Sequence, residues 1–252
     1  TYFVSTDYTC SPGTRESGLD CYFIPDASLV QEFTACGIPA EKLAVGGIPV
    51  CQAFYRHTDR SAAKRALHVS PECRHLVVMG GSMGCGPMEQ LAGIFAQTLS
   101  PSQEATFVCG TNRRLYETLC QRYAGCERLH ISGYTDNVSL LLDSADLYLT
   151  KPGGLSVTEA AAKSLPMVLL NVVAGCENYN LAYYTGLGAA VTADTVGEVA
   201  QLCSHLLEDG DQLEKMAAAF RKSPQPNSAQ RIYDRVLSDQ RGTAPSAEAA
   251  GI

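Results

Sequence analysis

The chain has 252 residues, of which 19 are Lys or Arg and 26 are Asp or Glu, giving a formal net charge of −7 at neutral pH. This length accommodates one large domain or two small ones, and the negative charge argues against nucleic acid as the main partner. No stretch approaches the ~20 consecutive apolar residues of a membrane span. The 11 cysteines include no C-x-x-C pair and are typical of reduced thiols, not of a disulfide scaffold or a zinc site.

The first 50 residues predict the end of an α/β domain. Three short apolar runs indicate strands, at residues 2–4, 21–24 and 42–45. Three strands cannot fill a domain of their own, and a parallel sheet needs both of its faces covered. We therefore expect residues 1–50 to be the C-terminal remnant of a domain, and the chain to be a fragment of something longer.

From about residue 51 the pattern becomes a regular alternation of strands and helices. Six apolar runs are each followed by a helical segment, and they occupy residues 76–79, 105–109, 129–131, 147–149, 167–170 and 189–191. This alternation predicts an α/β fold with a Rossmann-like doubly wound parallel sheet over residues 51–222. Residues 223–252 are expected to form a C-terminal helix and, from Gly242, a disordered tail.

The most informative turn is Lys151-Pro152-Gly153-Gly154, which ends the predicted strand at 147–149 and precedes a helical pattern. A strand, a Gly-rich turn and a helix N-terminus together present unpaired N–H groups and the positive end of a helix dipole to an anion. The turn therefore predicts a phosphate site, although turn chemistry alone would also explain two consecutive glycines.

Two groups of polar residues follow this turn in the chain. Glu159 lies three residues after Ser156, so it is either the partner of Ser156 in a capping box or an acceptor for the hydroxyls of a ribose beside the phosphate. Glu177, Asn178 and Asn180 follow the next predicted strand. Because open α/β sheets bind ligands at the carboxyl ends of their strands, these side chains are candidates for binding further hydroxyl groups.

A second Gly-rich loop, G-G-S-M-G-C-G at 80–86, follows the first strand of the large sheet. It lacks the G-x-G-x-x-G order, and no acidic residue ends the next strand, so NAD binding is not expected. The loop either approaches a diphosphate, with Ser82 as a hydroxyl donor, or is a purely structural tight turn. None of the five histidines lies in a Gly-rich loop, and none is assigned a role.

Six motifs in chain order resemble those of the diacylglycerol glycosyltransferases, of the glycosyltransferase family 28 type. They are T-D-Y at 6–8, V-G-G-I-P-V at 45–50, G-G-S-M-G at 80–84, G-Y-T-D-N at 133–137, K-P-G-G-L-S-V-T-E-A at 151–160 and G-C-E-N-Y-N at 175–180. The family includes monogalactosyldiacylglycerol synthases and processive diacylglycerol glucosyltransferases. The match spans roughly residues 6–237, and its most specific piece is 151–160.

The resemblance implies the C-terminal half of a two-domain GT-B enzyme. That half would bind a UDP-hexose, and a largely missing N-terminal domain would bind a lipid acceptor at the membrane surface. The expected reaction is an inverting transfer of a hexose to diacylglycerol, with neither a cofactor nor an obligatory metal. The general base is expected in the missing domain, so no catalytic residue is assigned and the isolated chain is expected to be weakly active or inactive. The full-length protein would be cytoplasmic and peripheral at the inner face of the membrane, with its oligomeric state open.

The resemblance also assigns roles to individual residues. Glu159 would hold the ribose, Ser156 with the amides of Gly154 and Leu155 would hold the α-phosphate, and Glu177 with Asn178 or Asn180 would face the sugar. Backbone groups of Gly133 and Tyr134 would contact uracil, and Gly81 and Ser82 would lie by the diphosphate. The complete set of candidate site residues is Gly81, Ser82, Gly133, Tyr134, Gly154, Leu155, Ser156, Glu159, Glu177, Asn178 and Asn180.

The chain departs from the family pattern at two places. Where relatives commonly have a His soon after the T-D pair, this chain has Thr9, Cys10 and Ser11. Where they have Gln before the sugar-binding Glu, it has Cys176, which leaves galactose and glucose both open. Two other functions share this sequence pattern: a UDP-sugar-binding subunit that needs a separate acceptor chain, and a UDP-N-acetylglucosamine 2-epimerase. A third possible function is that of an interaction module whose active site is no longer used. The intact Ser156 and Glu159 argue against it.

Overall fold

A computed structural model describes residues 1–170, 175–222 and 227–240. The described residues form two parallel sheets of three and six strands. The strands are β1 (Tyr2–Val4), β2 (Cys21–Ile24), β3 (Leu43–Val45), β4 (Arg74–Met79), β5 (Gln103–Val108), β6 (Leu129–Ser132), β7 (Leu147–Thr150), β8 (Met167–Leu170) and β9 (Ala190–Ala193). The small sheet has the order β1-β2-β3, and the large sheet has the order β6-β5-β4-β7-β8-β9.

The helices of the described residues cover both faces of the large sheet, and one of them packs against a face of the small sheet. They are α1 (Val30–Ala35), α2 (Arg60–Ala66), α3 (Met88–Thr98), α4 (Arg113–Tyr123), α5 (Val138–Ser144), α6 (Gly154–Ala162), α7 (Cys176–Leu187), α8 (Val196–Glu208), α9 (Gly210–Ala219) and α10 (Ser228–Gln240). Every strand predicted from the sequence is present, within one or two residues of its expected position.

The large sheet is buried on both faces because its strands are apolar at consecutive positions. In β4, Leu76 and Val78 belong to one core cluster, whereas Val77 and Met79 belong to the other. Successive side chains of a strand point to opposite faces, so the two clusters lie on opposite sides of the sheet. This arrangement is a Rossmann-like doubly wound sheet, as the alternation of strands and helices predicted.

The strand order of the large sheet reverses between β4 and β7, which are hydrogen-bonded neighbours with Met79 opposite Thr150. The connection from β4 leads away to β5, and the connection from β7 leads the other way to β8. Such a switch point leaves a crevice outside the carboxyl ends of the two strands, where open α/β sheets bind their ligands. Both Gly-rich loops therefore lie at one crevice.

The C-terminal helix α10 packs on the small sheet. Its residues Ile232 and Val236 contact a cluster made by Cys21, Phe23 and Ala44. The sequence indicated a helix in this region but gave no sign of where it would pack, because the contacts join residues about 200 positions apart in the chain. The expected disordered tail from Gly242 lies outside the described residues.

A buried charge cluster lies at the opposite end of the large sheet from the crevice. The Asp146 carboxylate accepts hydrogen bonds from Lys64 Nζ at 2.8 Å, from Arg60 and Arg74 at 3.0 Å each, and from the His75 N–H at 2.9 Å. Burial alone would raise the pKa of Asp146, but the bonds from Lys64 and His75 and the charge of Arg60 hold it below its ordinary value. The cluster joins β4, β7 and α2.

The His75 ring is fully buried beside this cluster. Its two nitrogens contact Ser144 Oγ at 3.0 Å and Thr106 Oγ1 at 2.7 Å. Burial and the nearby Lys64 ammonium lower the pKa of His75 to about 4, so the ring is neutral at physiological pH.

Candidate functional site

A cavity of about 530 Å³ opens at the switch point, between the loops that follow β4 and β7. The small sheet also contributes to it, through Thr6 and Asp7 in the loop after β1. Its volume lies within the roughly 300–1,000 Å³ that small-molecule sites occupy. Most of the candidate residues line it, namely Gly81, Ser82, Tyr134, Gly154, Leu155, Ser156, Glu159 and Glu177.

Helix α6 points its N-terminus into this cavity. Gly153 is the N-cap, no side chain caps the helix, and the first helical bond runs from the Val157 N–H to the Gly153 carbonyl at 3.1 Å. The N–H groups of Gly154, Leu155 and Ser156 therefore have no acceptor among the described residues. Unpaired N–H groups at the positive end of a helix are suited to an anion, and the phosphate at this turn stays a prediction.

Gly154 is required by a close approach of the two parts of the chain. A Cβ at this position would lie 1.7 Å from the Thr6 carbonyl oxygen and 3.1 Å from Asp7 Oδ1. No side chain fits there, so the second glycine of the turn brings the loop after β1 against the start of α6.

The capping-box alternative for Ser156 and Glu159 is wrong. Ser156 is the third residue of α6 and not its N-cap, and its hydroxyl contacts Tyr148 Oη at 2.8 Å and Thr150 Oγ1 at 3.5 Å. Tyr148 is fully buried, and burial raises its pKa to about 12, so it remains a neutral hydrogen-bonding partner. The strand beneath the helix thus orients the Ser156 hydroxyl.

Glu159 lies one turn further along α6, with its half-buried carboxyl lining the cavity. Within the described ranges no hydrogen-bond donor or cation contacts this carboxyl. Burial raises the pKa of Glu159 to about 7. A carboxyl held in this way, without protein partners, is available to a ligand that donates hydrogen bonds, as the ribose alternative requires.

Glu177 contributes a second carboxyl to the cavity, from the first turn of α7. Its Oε1 accepts a hydrogen bond from Lys151 Nζ. Its Oε2 is buried and has no hydrogen-bond partner, the one such side-chain atom in the part of the chain that the structure describes. An unpaired buried acceptor costs free energy, so Glu177 is also suited to a ligand donor.

Asn180 does not fit its expected role. Its side chain is fully buried, accepts a hydrogen bond from the Tyr8 N–H at 2.8 Å, and donates to Asp7 Oδ1 at 2.7 Å and to the Pro152 carbonyl at 3.0 Å. The amide is thereby fully used in fastening α7 to the loop after β1. Asn178 is exposed and lies outside the cavity lining.

In the Gly-rich loop after β4, tight packing explains two of the glycines, and the approach of the loop to a diphosphate stays a prediction. A Cβ at Gly80 would lie 1.8 Å from the Cys85 carbonyl oxygen, and one at Gly84 would lie 2.3 Å from that of Cys109. These two glycines are therefore required by tight packing. Gly81 and Ser82, in contrast, line the cavity.

Of the two candidate uracil contacts, one lines the cavity. Tyr134, which is 65% exposed, is a lining residue, whereas Gly133 is not. Sequence reasoning did not single out the apolar wall formed by Met79, Val108 and Val138. These residues end strands or begin a helix, and the strand pattern alone could have placed Met79 and Val108 at this edge.

The described residues contain neither a metal-binding cluster nor a membrane-spanning helix. Among residues 1–170, 175–222 and 227–240, no group of three or more His, Cys, Asp or Glu side chains is arranged to hold a metal ion. None of the helices in the same residues combines the length and apolarity needed to cross a bilayer.

Comparison with known families gives one family match. The model described as glycosyl transferases group 1 matches residues 94–223, just over half of the chain. The resemblance in the sequence implied the family 28 type, and the matching model is that of group 1.

Two curated relatives have the same name. The chain is 30% identical over 240 residues to a processive diacylglycerol beta-glucosyltransferase of Bacillus cytotoxicus, covering 94% of this chain and 61% of that protein. It is 28% identical over 214 residues to the protein of that name from Staphylococcus carnosus, covering 85% of this chain and 55% of the relative. The chain thus spans somewhat more than half the length of these relatives.

Solved structures share the fold at low sequence identity. Acinetobacter baumannii MurG superposes with a TM-score of 0.69 and 19% identity, over 94% of this chain and 66% of that one. The S. aureus MnaA-UDP co-structure gives a TM-score of 0.69 with 15% identity, over 92% of this chain and 65% of that one. The UDP-GlcNAc 2-epimerase of Neisseria meningitidis bound to UDP-GlcNAc gives a TM-score of 0.67 with 15% identity, over 87% of this chain and 62% of that one. These neighbours have the GT-B architecture, so the predicted fold class is confirmed.

Proposed function

The chain belongs to the glycosyl transferases group 1 family, and from that premise we propose that it is the donor-binding part of an enzyme that transfers a hexose from UDP to diacylglycerol. The donor would be a UDP-hexose, and the acceptor would be reached at a membrane surface by the full-length protein. The names of the two curated relatives support diacylglycerol as acceptor and glucose as the sugar.

The observation that carries this proposal is the placement of the Glu159 carboxyl one turn after the unpaired N–H groups of α6, inside a single cavity. A phosphate at the helix N-terminus satisfies those N–H groups. A ribose attached to that phosphate reaches the carboxyl with its two hydroxyls, which are donors. A nucleoside diphosphate has both chemical groups in this order.

The same geometry suits the departure of UDP. When the bond between the sugar and the diphosphate breaks, negative charge develops on the phosphate oxygens. The fixed N–H groups and dipole of α6 stabilise that charge without reorganising. Transfer with inversion then requires only that the acceptor hydroxyl, deprotonated by a base, attacks the anomeric carbon from the opposite side.

A thermal-melt titration of the chain tests donor binding. UDP, UDP-glucose, UDP-galactose and NAD are added separately to the wild type, to Glu159→Ala, and to Glu214→Ala, whose carboxyl is exposed on α9. A ligand at a hundredfold excess over its Kd stabilises the fold by about 2.7 kcal/mol, which is readily measured.

The proposal expects the UDP ligands to raise the melting temperature of the wild type and of Glu214→Ala, but not of Glu159→Ala. It expects NAD to have no effect. Stabilisation by NAD alone, or equal stabilisation of all three proteins by UDP, would contradict it. Conversion of UDP-N-acetylglucosamine to its 2-epimer without any lipid would instead favour the epimerase, which shares the fold.

A further inference from the structure

Lys151 occupies an unusual place in the cavity. Its Cε lies 3.1 Å from where a Cβ of Gly81 would be, and its Nζ lies 3.5 Å from the corresponding point at Gly153, the N-cap of α6. Its side chain thus extends from the end of β7 across both Gly-rich loops. Among the described residues that line the cavity, it is the one Lys or Arg side chain.

The ammonium group therefore lies beside the positive end of a helix dipole. Two positive features so close together are unfavourable unless an anion lies between or beside them. In this structure the anion is Glu177, which accepts from Lys151 with Oε1. The pairing is incomplete, because Glu177 Oε2 is buried without a partner.

Ion pairs that remain partly open to solvent contribute little stability, and the two side chains of this pair are 34% and 22% exposed. Each member would gain a better partner from a nucleotide sugar. A diphosphate offers Lys151 more negative charge than one carboxylate does. A sugar hydroxyl offers Glu177 the donor that its second oxygen lacks.

We propose that Lys151 is a ligand of the donor diphosphate and that it exchanges Glu177 for the phosphate oxygens when the donor binds, an inference that rests on the proposed function. The exchange frees Glu177 Oε1, so that both oxygens of this carboxylate face the transferred sugar. Lys151 then adds a full positive charge to the helix dipole at the leaving group. Diphosphate binding and sugar recognition are thereby coupled through one ion pair.

The exchange makes a prediction that a static ion pair does not make. Removing the negative charge of Glu177 releases Lys151 from its competing partner, so Glu177→Gln should bind UDP more tightly. The same variant should lose affinity for the hexose portion of the donor. Removing Lys151 should weaken binding of UDP and leave uridine, which has no phosphate, unaffected.

The experiment measures dissociation constants of the wild type, Lys151→Ala, Glu177→Gln and the double variant, with calorimetry for UDP and UDP-glucose and chemical-shift titration for uridine. Lys215→Ala and Glu214→Gln are matched controls, since both side chains are exposed on α9. Melting temperatures of the free proteins show that each variant is folded.

The expected loss of UDP affinity in Lys151→Ala is about tenfold or more, the usual worth of a charge-assisted hydrogen bond. The expected gain in Glu177→Gln is roughly threefold, the size of a partly exposed ion pair. In the double variant that gain disappears, because no lysine remains to be released. Both controls match the wild type.

The inference would be overturned if Lys151→Ala lost UDP and uridine binding equally, or if it bound UDP as the wild type does. It would also be overturned if Glu177→Gln bound UDP no more tightly than the wild type. These results leave the donor-site proposal standing, because the wild type still binds UDP. A wild-type chain that binds neither UDP nor uridine overturns both.

Discussion

Replacing Glu159 by Gln should stabilise the free protein at neutral pH and remove its affinity for UDP. Burial shifts the pKa of this carboxyl from its ordinary 4.5 to about 7. Ionising the buried group in the folded protein therefore costs free energy that the unfolded chain does not incur. The difference between the two pKa values corresponds to at most about 3 kcal/mol.

The direction in which stability changes with pH follows from which state, folded or unfolded, binds the proton. Below pH 4.5 the carboxyl is protonated in both states and contributes nothing. Between pH 4.5 and 7 the unfolded chain loses the proton while the folded protein keeps it, so stability falls as the pH rises. Above pH 7 both states are ionised and the full cost is present. Gln, which does not ionise, avoids that cost at every pH.

The assay is urea unfolding of the wild type and Glu159→Gln at several pH values from 4.5 to 8, with Glu214→Gln as the surface control. The free energy of unfolding of Glu159→Gln should exceed that of the wild type by an amount that grows from near zero at pH 4.5 to about 3 kcal/mol above pH 7. A difference that does not change with pH, or a variant less stable at pH 8, would refute the reasoning. UDP should stabilise the wild type and the surface control alone.

Three further predictions concern the scaffold around the site. Gly154→Ala forces a Cβ onto the Thr6 carbonyl and should lower the free energy of unfolding by about 1–3 kcal/mol in urea, whereas Gly186→Ala, with open space around it in α7, should not. Asp146→Asn leaves the buried Lys64 ammonium without its carboxylate partner and should lower the free energy of unfolding by about 3 kcal/mol at pH 7. The loss should narrow as the pH falls below 3.8, the ordinary pKa of Asp, because the unfolded wild type then takes up a proton that the folded protein, with its lowered pKa, does not yet bind. NMR should show the His75 ring still neutral at pH 5.5, and a ring that titrates near pH 6.5 would contradict its burial. Because the unfolded chain binds a proton at His75 first, the free energy of unfolding should fall as the pH falls from 6.5 towards 4.

The strands and helices of this chain could be predicted because their signals are local. The apolar runs of the large sheet are continuous, and Gly or Pro ends most of them, so the doubly wound fold and the two Gly-rich loops were evident. The turn proposed to bind phosphate could be located for the same reason, since the N-terminus of α6 follows its strand directly.

Contacts between residues far apart in the sequence could not be predicted from such local signals. Asn180 is a surface-type residue next to Glu177 in sequence, yet partners about 170 residues away bury it. The choice between a cap and a ligand for Glu159 also depended on where α6 begins, because the N-cap at Gly153 places Ser156 inside the helix. Neither the docking of α10 on the small sheet nor the pairing of Lys151 with Glu177 has a signal in local sequence.

The position of UDP in a crystal of its complex with this chain tests the central claim most directly. The account predicts the two ribose hydroxyls at hydrogen-bond distance, about 2.7 Å, from the Glu159 carboxylate. It places the diphosphate at the N–H groups of Gly154 and Leu155. UDP bound outside the cavity at the switch point, or bound there with its ribose directed away from Glu159, would contradict the account.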